Sequence, residues 1–133
     1  MKANELMIGD WVVYDGDVEY QNPIRVEGMD ISGYSLITSD RDDVGFDGVQ
    51  PIPLTPEILE KNGFEDVGSE VYECDVLPFY IWLERDRHRL GIDIEDSTYD
   101  KENFAQMLRV PVSYVHDLQH ALRLCGIEKE IEL

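Results

Sequence analysis

The segment LTPEILEKNGF, residues 54–64, contains the start and stop signals of a short helix. Thr55 is a residue type that caps helices, because its hydroxyl accepts a hydrogen bond from a backbone N–H of the first turn. Pro56 suits the first helical position, where a backbone N–H has no partner in the helix. Gly63 can adopt the left-handed conformation that ends a helix. The pattern predicts a helix over residues 56–62, which is too short to be stable unless it packs on the rest of the chain.

The part before this helix, residues 1–53, contains short runs of β-branched and aromatic residues separated by turn residues. The run WVVY at 11–14 is followed by Asp15-Gly16, a pair that favours hairpins. The run YSLIT at 34–38 alternates as a half-buried strand does. Closely spaced strands of this kind predict an SH3-like small β-barrel or a bent meander over residues 1–53.

The part after the helix predicts an antiparallel sheet and a second helix. The run FYIWL at 79–83 is apolar on both faces, so we expect it in the centre of the sheet. Apolar residues recur at helical spacing over residues 112–125, and Gly126 follows as a stop signal. The fold class expected is therefore α+β. Residues 1–53 and 54–133 are each small for independent stability, so we expect them to pack together as one compact unit.

The composition is strongly acidic, with 29 Asp and Glu against 11 Lys and Arg and a net charge of -18. The charge is spread along the chain, since residues 1–53 carry a net -8 and residues 54–133 a net -10. Such a field repels phosphate backbones and anionic lipid, so we expect no direct binding to nucleic acid or membrane. It favours either simple solubility or binding of a basic protein partner.

The N-terminus has no apolar signal-peptide core, and no apolar run approaches the length of a membrane span. Cys74 and Cys125 lack metal-type spacing. A disulfide between them stays open as an alternative, but two reduced thiols in a cytoplasmic protein are the interpretation we favour. The oligomeric state is not predicted.

His116 and His120 lie four residues apart on the predicted second helix and therefore point to the same side. This spacing can hold one metal ion, with Asp117, His88 or a distant carboxylate as a further ligand. The alternative is two ordinary polar-face histidines. They are the candidate metal ligands of this sequence, and no cofactor is predicted.

The only dense basic cluster is Arg85, Arg87, His88 and Arg89, in a predicted hairpin tip. Arg85, Arg87 and Arg89 are the candidate binding residues, because guanidinium groups recognise phosphates and carboxylates. The alternative is a solvated tip whose arginines pair with neighbouring acids.

No motif for a nucleophile, a phosphate-binding loop or a dinucleotide site occurs in the chain, and no catalytic residue is predicted. Three hypotheses follow. The first is a non-enzymatic interaction protein that acts through its acidic surface or a sheet edge. The second is a metal-dependent or small-molecule enzyme that uses the face of His116 and His120. The third is a small-ligand sensor with a pocket lined by Trp11, Tyr14 or Trp82, although these aromatics also suit a core.

Three stretches, MKANEL running into IGDWV (residues 1–12), PIPLTPEILEKNGF (51–64) and YVHDLQH (114–120), carry a resemblance. In this order they resemble a group of short uncharacterised proteins common in gut Bacteroidetes and in their phages and mobile elements. The resemblance implies a bacterial cytoplasmic setting and an accessory role for mobile DNA. It implies no activity, cofactor or catalytic residue. In the group the second histidine of the last stretch is often asparagine, which implies that a metal site there is not general.

Overall fold

A computed structural model describes residues 5–30, 35–41, 43–95 and 104–133, with the side chain of Phe104 excepted. Met1 to Asn4 of the first resemblance stretch lie outside these residues. The chain divides into two compact units. The first comprises residues 1–53 with 114–116, and the second comprises residues 54–113 with 117–133. The expectation that the two parts pack together as one unit stays a prediction.

The first unit is a five-stranded antiparallel sheet in the order β4-β3-β2-β1-β5. A 3-10 helix, Phe46–Gly48, precedes its last strand. The strands are β1 (Trp11–Tyr14), β2 (Ile24–Asp30), β3 (Ser35–Thr38), β4 (Val44–Gly45) and β5 (Val49–Pro51). One buried apolar cluster consists of Leu6, which precedes β1, and the strand residues Val12, Ile24, Val26, Leu36 and Val49.

Strand β2 joins the two halves of this sheet. Its beginning pairs with β1, and its end pairs with β3 after a register shift between Val26 and Gly28. A shift of this kind is a bulge, which bends a strand and increases its twist. In the part of the chain that the structure describes, the sheet does not close into a barrel. The strands expected for residues 1–53 are present and antiparallel, but the closed barrel is not observed among the described residues.

After β5, the first unit contains a short pairing between residues 52–53 and residues 114–115. Pro53 pairs with Tyr114 as an isolated antiparallel bridge. Val115 donates its backbone N–H to the Ile52 carbonyl at 2.8 Å. Residues 114–116 thus belong to the first unit although they are distant in sequence.

The second unit opens with helix α1, Pro56–Lys61, and its signals act as predicted. Thr55 Oγ1 accepts the Ile58 N–H at 3.3 Å, and Pro56 occupies the first turn. Gly63 has a φ of 87°, and Phe64 donates its N–H back to the Leu59 carbonyl at 3.0 Å. The helix ends at Lys61, one residue before the predicted end.

The second sheet is antiparallel in the order β10-β9-β8-β7-β6. Strand β8 lies in its centre, as the apolar run at 79–83 predicts. The strands are β6 (Glu65–Gly68), β7 (Val71–Val76), β8 (Phe79–Glu84), β9 (Arg89–Glu95) and β10 (Phe104–Pro111). One face is fully buried and contains Tyr72, Cys74, Ile81, Leu83, Leu90 and Ile92. The two sheets and two helices confirm the α+β class.

Helix α2 covers Val115–Leu124, so the predicted start at residue 112 is three residues too early. Val112 instead donates its N–H to the His88 carbonyl at 2.8 Å, and the Ser113 carbonyl accepts the Leu54 N–H at 3.2 Å. These long-range bonds hold residues 112–114 extended. The carboxylate of Asp117 accepts the Ser113 N–H at 3.0 Å, as an acid in a first helical turn commonly does. At the other end Gly126 has a φ of 71° and stops the helix as predicted.

The C-terminal segment after α2 forms no strand, but it is anchored to the end of α1. Asn62 is 6% exposed and donates to the carbonyl of Glu132 at 2.7 Å. The Asn62 Oδ1 also accepts the Glu132 N–H at 2.7 Å. Ile127 and Ile131 are buried in the same segment. The asparagine side chain thus pairs with one residue of the tail as a neighbouring strand would.

Neither helix among the described residues is long and apolar enough to cross a membrane.

Candidate functional site

The second sheet has an open side, called here the outer face. It is opposite to the buried face because successive side chains of a strand point to opposite sides. Cross-strand pairing places its residues in rows, one of which runs Glu73, Trp82, Gly91 and Arg109. The neighbouring row runs Asp75, Tyr80, Asp93 and Gln106. Together the two rows bring aromatic, acidic and basic side chains onto one surface.

Trp82 is the centre of the outer face. A Cβ built on Gly91 would lie 2.2 Å from the Trp82 ring, so the ring lies directly on the glycine backbone of the next strand. The guanidinium of Arg109 lies over the same ring, with its Cζ 4.9 Å from the ring centroid. A cation in this position is attracted by the ring's negative face. The three residues form a stack that spans β8, β9 and β10.

Arg109 is held in place by further contacts. Its Nη2 lies 2.7 Å from Asp93 Oδ1, and its Nη1 donates to the Leu108 carbonyl at 2.8 Å. An ion pair that is both short and stacked on a ring fixes the guanidinium plane. Arg109 is therefore a pre-oriented cation rather than a freely moving side chain.

The β6–β7 side of the outer face, called here the acidic edge, consists of Glu65, Glu73 and Asp75. All three side chains are exposed. Glu65 and Glu73 are direct cross-strand partners, so two like charges face each other. Opposed like charges destabilise a sheet relative to neutral pairs. The arrangement concentrates negative charge beside an edge strand that has no further neighbour among the described strands.

The opposite side of the face contains an open groove of about 390 Å³, called here the arginine groove. Its lining consists of Arg87, His88, Arg89, Arg109, Val110 and Pro111. Two of the three predicted binding residues, Arg87 and Arg89, are thus brought together with Arg109. Arg85 does not line the groove and pairs with Glu70 at 3.2 Å. Arg109 is absent from the sequence-based set because it is distant in the chain and joins only through β9–β10 pairing.

The predicted metal residues have different surroundings. His116 is 5% exposed, and its ring stacks on Tyr114 with centroids 5.8 Å apart and an 8° interplanar angle. His120 is half-buried. Within the described ranges no group of three or more His, Cys, Asp and Glu side chains is arranged to hold a metal ion. The metal-binding hypothesis for this pair stays a prediction.

The aromatic residues suggested for a sensor pocket each carry an arginine. Arg25 lies over Trp11 at 4.8 Å, and Arg41 lies over Tyr14 at 4.4 Å. The Tyr14 hydroxyl also bonds to Thr38 Oγ1 at 2.8 Å. Arg109 stacks on Trp82 in the same way. Each arginine covers one face of its ring, and the sensor hypothesis stays a prediction.

Tyr14 and Asp40 perturb each other's ionisation. The Tyr14 hydroxyl donates a hydrogen bond to the Asp40 carboxylate. This bond is the main reason that the pKa of Asp40 lies below its ordinary value. Burial, followed by the bond to Asp40, raises the pKa of Tyr14. The pair is thus held as a neutral phenol beside a charged carboxylate.

Cys74 and Cys125 are both free thiols in the structure. Cys74 is buried on the inner face of the second sheet, and Cys125 is half-buried after α2. Burial raises the pKa of both thiols, so both are protonated at neutral pH. A protonated thiol is a poor nucleophile and a poor metal ligand.

A larger cavity of about 540 Å³ lies between the end of α2 and the C-terminal segment. Its lining mixes cations, Arg123 and Lys129, with the acids Glu128 and Glu130. Because both signs of charge occur in the lining, it does not indicate whether the cavity would bind an anion or a cation. The lining of the smaller arginine groove contains basic side chains and no acid.

Comparison of the chain with protein-family models, curated proteins and solved structures gives no match.

Proposed function

We propose that the protein is a non-enzymatic interaction protein that binds a basic, extended segment of a partner protein along the acidic edge. The observation that carries this proposal is the direct pairing of Glu65 with Glu73, next to Asp75 and beside the open strand β6. A bound lysine or arginine would relieve the repulsion between the two carboxylates. The net charge of -18 would add long-range attraction for a basic partner.

Strand addition is the mode of binding that suits this edge. Strand β6 pairs only with β7 among the described strands, so its other hydrogen-bonding edge has no neighbouring strand, and every residue of β6 is exposed. An extended peptide on such an edge forms main-chain hydrogen bonds and gains specificity from alternate side chains. The acids disfavour pairing with a second copy of β6, because like charges would meet. They favour a partner strand with basic residues on the same side.

The cellular setting belongs to the same proposal. The resemblance to proteins of gut Bacteroidetes and their mobile elements supports a cytoplasmic accessory role for a phage or mobile element. A host or element-encoded nucleic-acid-binding protein is a suitable partner, because such proteins expose basic segments. The strand order of the first unit, with a 3-10 helix before β5 that pairs with β1, supports an SH3-like relationship for that unit.

The direct test uses a fluorescent peptide with alternating lysine and valine, and a matched peptide with glutamate in place of lysine. We expect fluorescence anisotropy to show binding of the lysine peptide only, with an affinity that falls steeply as salt rises. The double variant Glu65→Gln/Glu73→Gln should lose most of this binding. The control Glu27→Gln/Asp47→Asn removes the same charge from exposed positions of the first unit.

Two results would count against the proposal. One is equal loss of binding in the two double variants, because binding would then follow net charge alone. The other is absence of saturable binding at low salt. If the lysine peptide binds as expected, a pull-down at low salt with elution by a salt gradient and mass spectrometry would identify the natural partner.

A further inference from the structure

The arginine groove is lined by basic side chains although the protein as a whole is acidic. Its lining contains three arginines and a histidine and no carboxylate, although the chain has a net charge of -18. Its volume of about 390 Å³ lies in the range of small-ligand sites. A ligand in this groove would meet guanidinium groups from two strands and from the turn between β8 and β9.

The three arginines of the groove differ in the ion pairs that their guanidinium groups form. Arg87 Nε lies 3.5 Å from the Glu84 carboxylate, and the Arg87 side chain is 65% exposed, so this pair is weak. Arg109 is oriented by Asp93 and by the Trp82 ring. Arg89 is exposed, and among the described residues no carboxylate lies within 4 Å of its guanidinium. Arg89 therefore offers its donors to a ligand, next to a second guanidinium that is already fixed.

The turn that carries these residues has a constrained backbone. His88 has a φ of 50°, in the left-handed region that non-glycine residues seldom adopt. Its N–H donates to the Arg85 carbonyl at 3.4 Å, and its carbonyl accepts the Val112 N–H at 2.8 Å. The turn is thus fixed to its own start and to the segment after β10. These backbone contacts fix the position of the main chain from which the side chains of Arg87 and Arg89 extend.

We propose that the arginine groove binds the phosphate group of a small ligand, with Arg89 as the main contact and Arg109 as a pre-oriented second contact. A phosphate presents three terminal oxygens and close to two negative charges, so it can bond to more than one guanidinium at once. A carboxylate has one planar pair of oxygens, which a single guanidinium satisfies. Val110 and Pro111 add an apolar wall for the group that carries the phosphate.

A small ligand suits this groove better than a nucleic acid. A long polyanion bound at the groove would extend over the rest of the molecule and meet its excess of acids. Exposed charges more than about 8–10 Å apart are largely screened at physiological salt. A ligand about the size of the groove therefore experiences mainly the nearby guanidinium groups.

The test is an NMR titration of the full chain at constant ionic strength with inorganic phosphate, phenyl phosphate and acetate. We expect saturable shifts of the amide signals of residues 87–89 and 109 with the two phosphates, at concentrations up to about 10 mM, and none with acetate. Tighter binding of phenyl phosphate would identify a phosphomonoester as the ligand class, and equal binding would identify free phosphate. Either outcome supports the site.

Variants decide whether the groove is responsible. Arg89→Gln should weaken phosphate binding about tenfold or more, because it removes a charge-assisted contact without breaking an internal ion pair. Arg109→Lys keeps the charge but loses the fork geometry, and it should weaken binding as well. The control Arg123→Gln removes the same charge outside the groove and should change the affinity less than about twofold.

Absence of saturable shifts up to about 50 mM phosphate would overturn the proposal. Equal binding by the wild type and Arg89→Gln would also overturn it. The site does not depend on the acidic edge, since its probe is an anion and that of the edge is a basic peptide. Failure of one proposal is therefore distinguishable from failure of the other.

Discussion

Substitution of Gly91 by alanine tests the central feature of the outer face, the contact between Trp82 and the glycine backbone. The added Cβ would lie 2.2 Å from two carbons of the indole ring and 2.6 Å from its nitrogen. Real Cβ contacts are not this short, so the ring must move. Gly91 does not have a left-handed φ, and alanine therefore adds no backbone strain. The whole effect should come from the displaced tryptophan.

The magnitude follows from three contributions. Overpacking at a well-packed position costs about 1–3 kcal/mol. Loss of the Arg109 stack at a partly exposed site adds about 0.5–1 kcal/mol. Replacing glycine by alanine in a compatible conformation returns about 0.4–1 kcal/mol, because the unfolded chain loses freedom. We expect Gly91→Ala to destabilise the protein by about 1–3 kcal/mol.

The measurement is urea unfolding followed by circular dichroism, with tryptophan fluorescence as a second signal. The matched experiment repeats the substitution in a Trp82→Ala background. There the added methyl group meets no ring, so alanine at position 91 should be neutral or stabilising by up to about 1 kcal/mol. A change of sign between the two backgrounds is the expected result. If Gly91→Ala has the same cost with and without Trp82, the proposed contact is not the reason for glycine at this position.

Three further predictions concern other parts of the chain. Asn62→Ala should destabilise the protein by about 2–4 kcal/mol in urea unfolding, since it removes both hydrogen bonds to the Glu132 backbone. Asn62→Asp should be at least as destabilising, because its carboxylate would be buried against the Ile58 and Glu132 carbonyls to which the amide now donates. Tyr14→Phe should lower the melting temperature most at intermediate pH. The stability contributed by Asp40 is present above the ordinary Asp pKa of 3.8 and is lost as the pH falls below that value. The stability contributed by Tyr14 is present below the ordinary Tyr pKa of 10.0 and is lost as the pH rises through the raised pKa of Tyr14. A difference that does not vary with pH would show that the Tyr14 effect comes from packing. Glu73→Gln should raise stability by about 0.2–1 kcal/mol in low salt, with a gain that shrinks in high salt, and an equal gain at all salt concentrations would contradict the repulsion.

The sequence predicted those elements whose signals are local. Helix α1 begins and ends within one residue of its predicted bounds because Thr55, Pro56 and Gly63 act on their own neighbours. The start of α2 was missed because the bonds that hold residues 112–114 extended come from His88, Pro53 and Leu54. These partners are distant in sequence, so helical periodicity alone places the boundary too early.

The candidate site was predicted only in part, for the same reason. The basic turn was visible as a run of arginines. Its connection to Arg109 depends on the register of β9 with β10, which includes a shift between Gln106 and Leu108. The opposed pair of Glu65 and Glu73 likewise depends on cross-strand register. A charge count gives the total, whereas the register decides which charges become neighbours.

The acidic edge and the arginine groove lie on opposite sides of the outer face, and their two proposed ligands should respond differently to salt. The acidic edge lies on β6 and β7, the arginine groove on β9, β10 and the adjoining turn, and Trp82 stands between them on β8. A basic peptide is attracted by many exposed carboxylates at long range, and salt screens such interactions strongly. A phosphate in the groove is held by guanidinium groups at contact distance, while salt also screens its long-range repulsion from the other acids. Raising the salt concentration should therefore weaken peptide binding much more than phosphate binding, and an equal loss of affinity for the two ligands would contradict this account of how each is held.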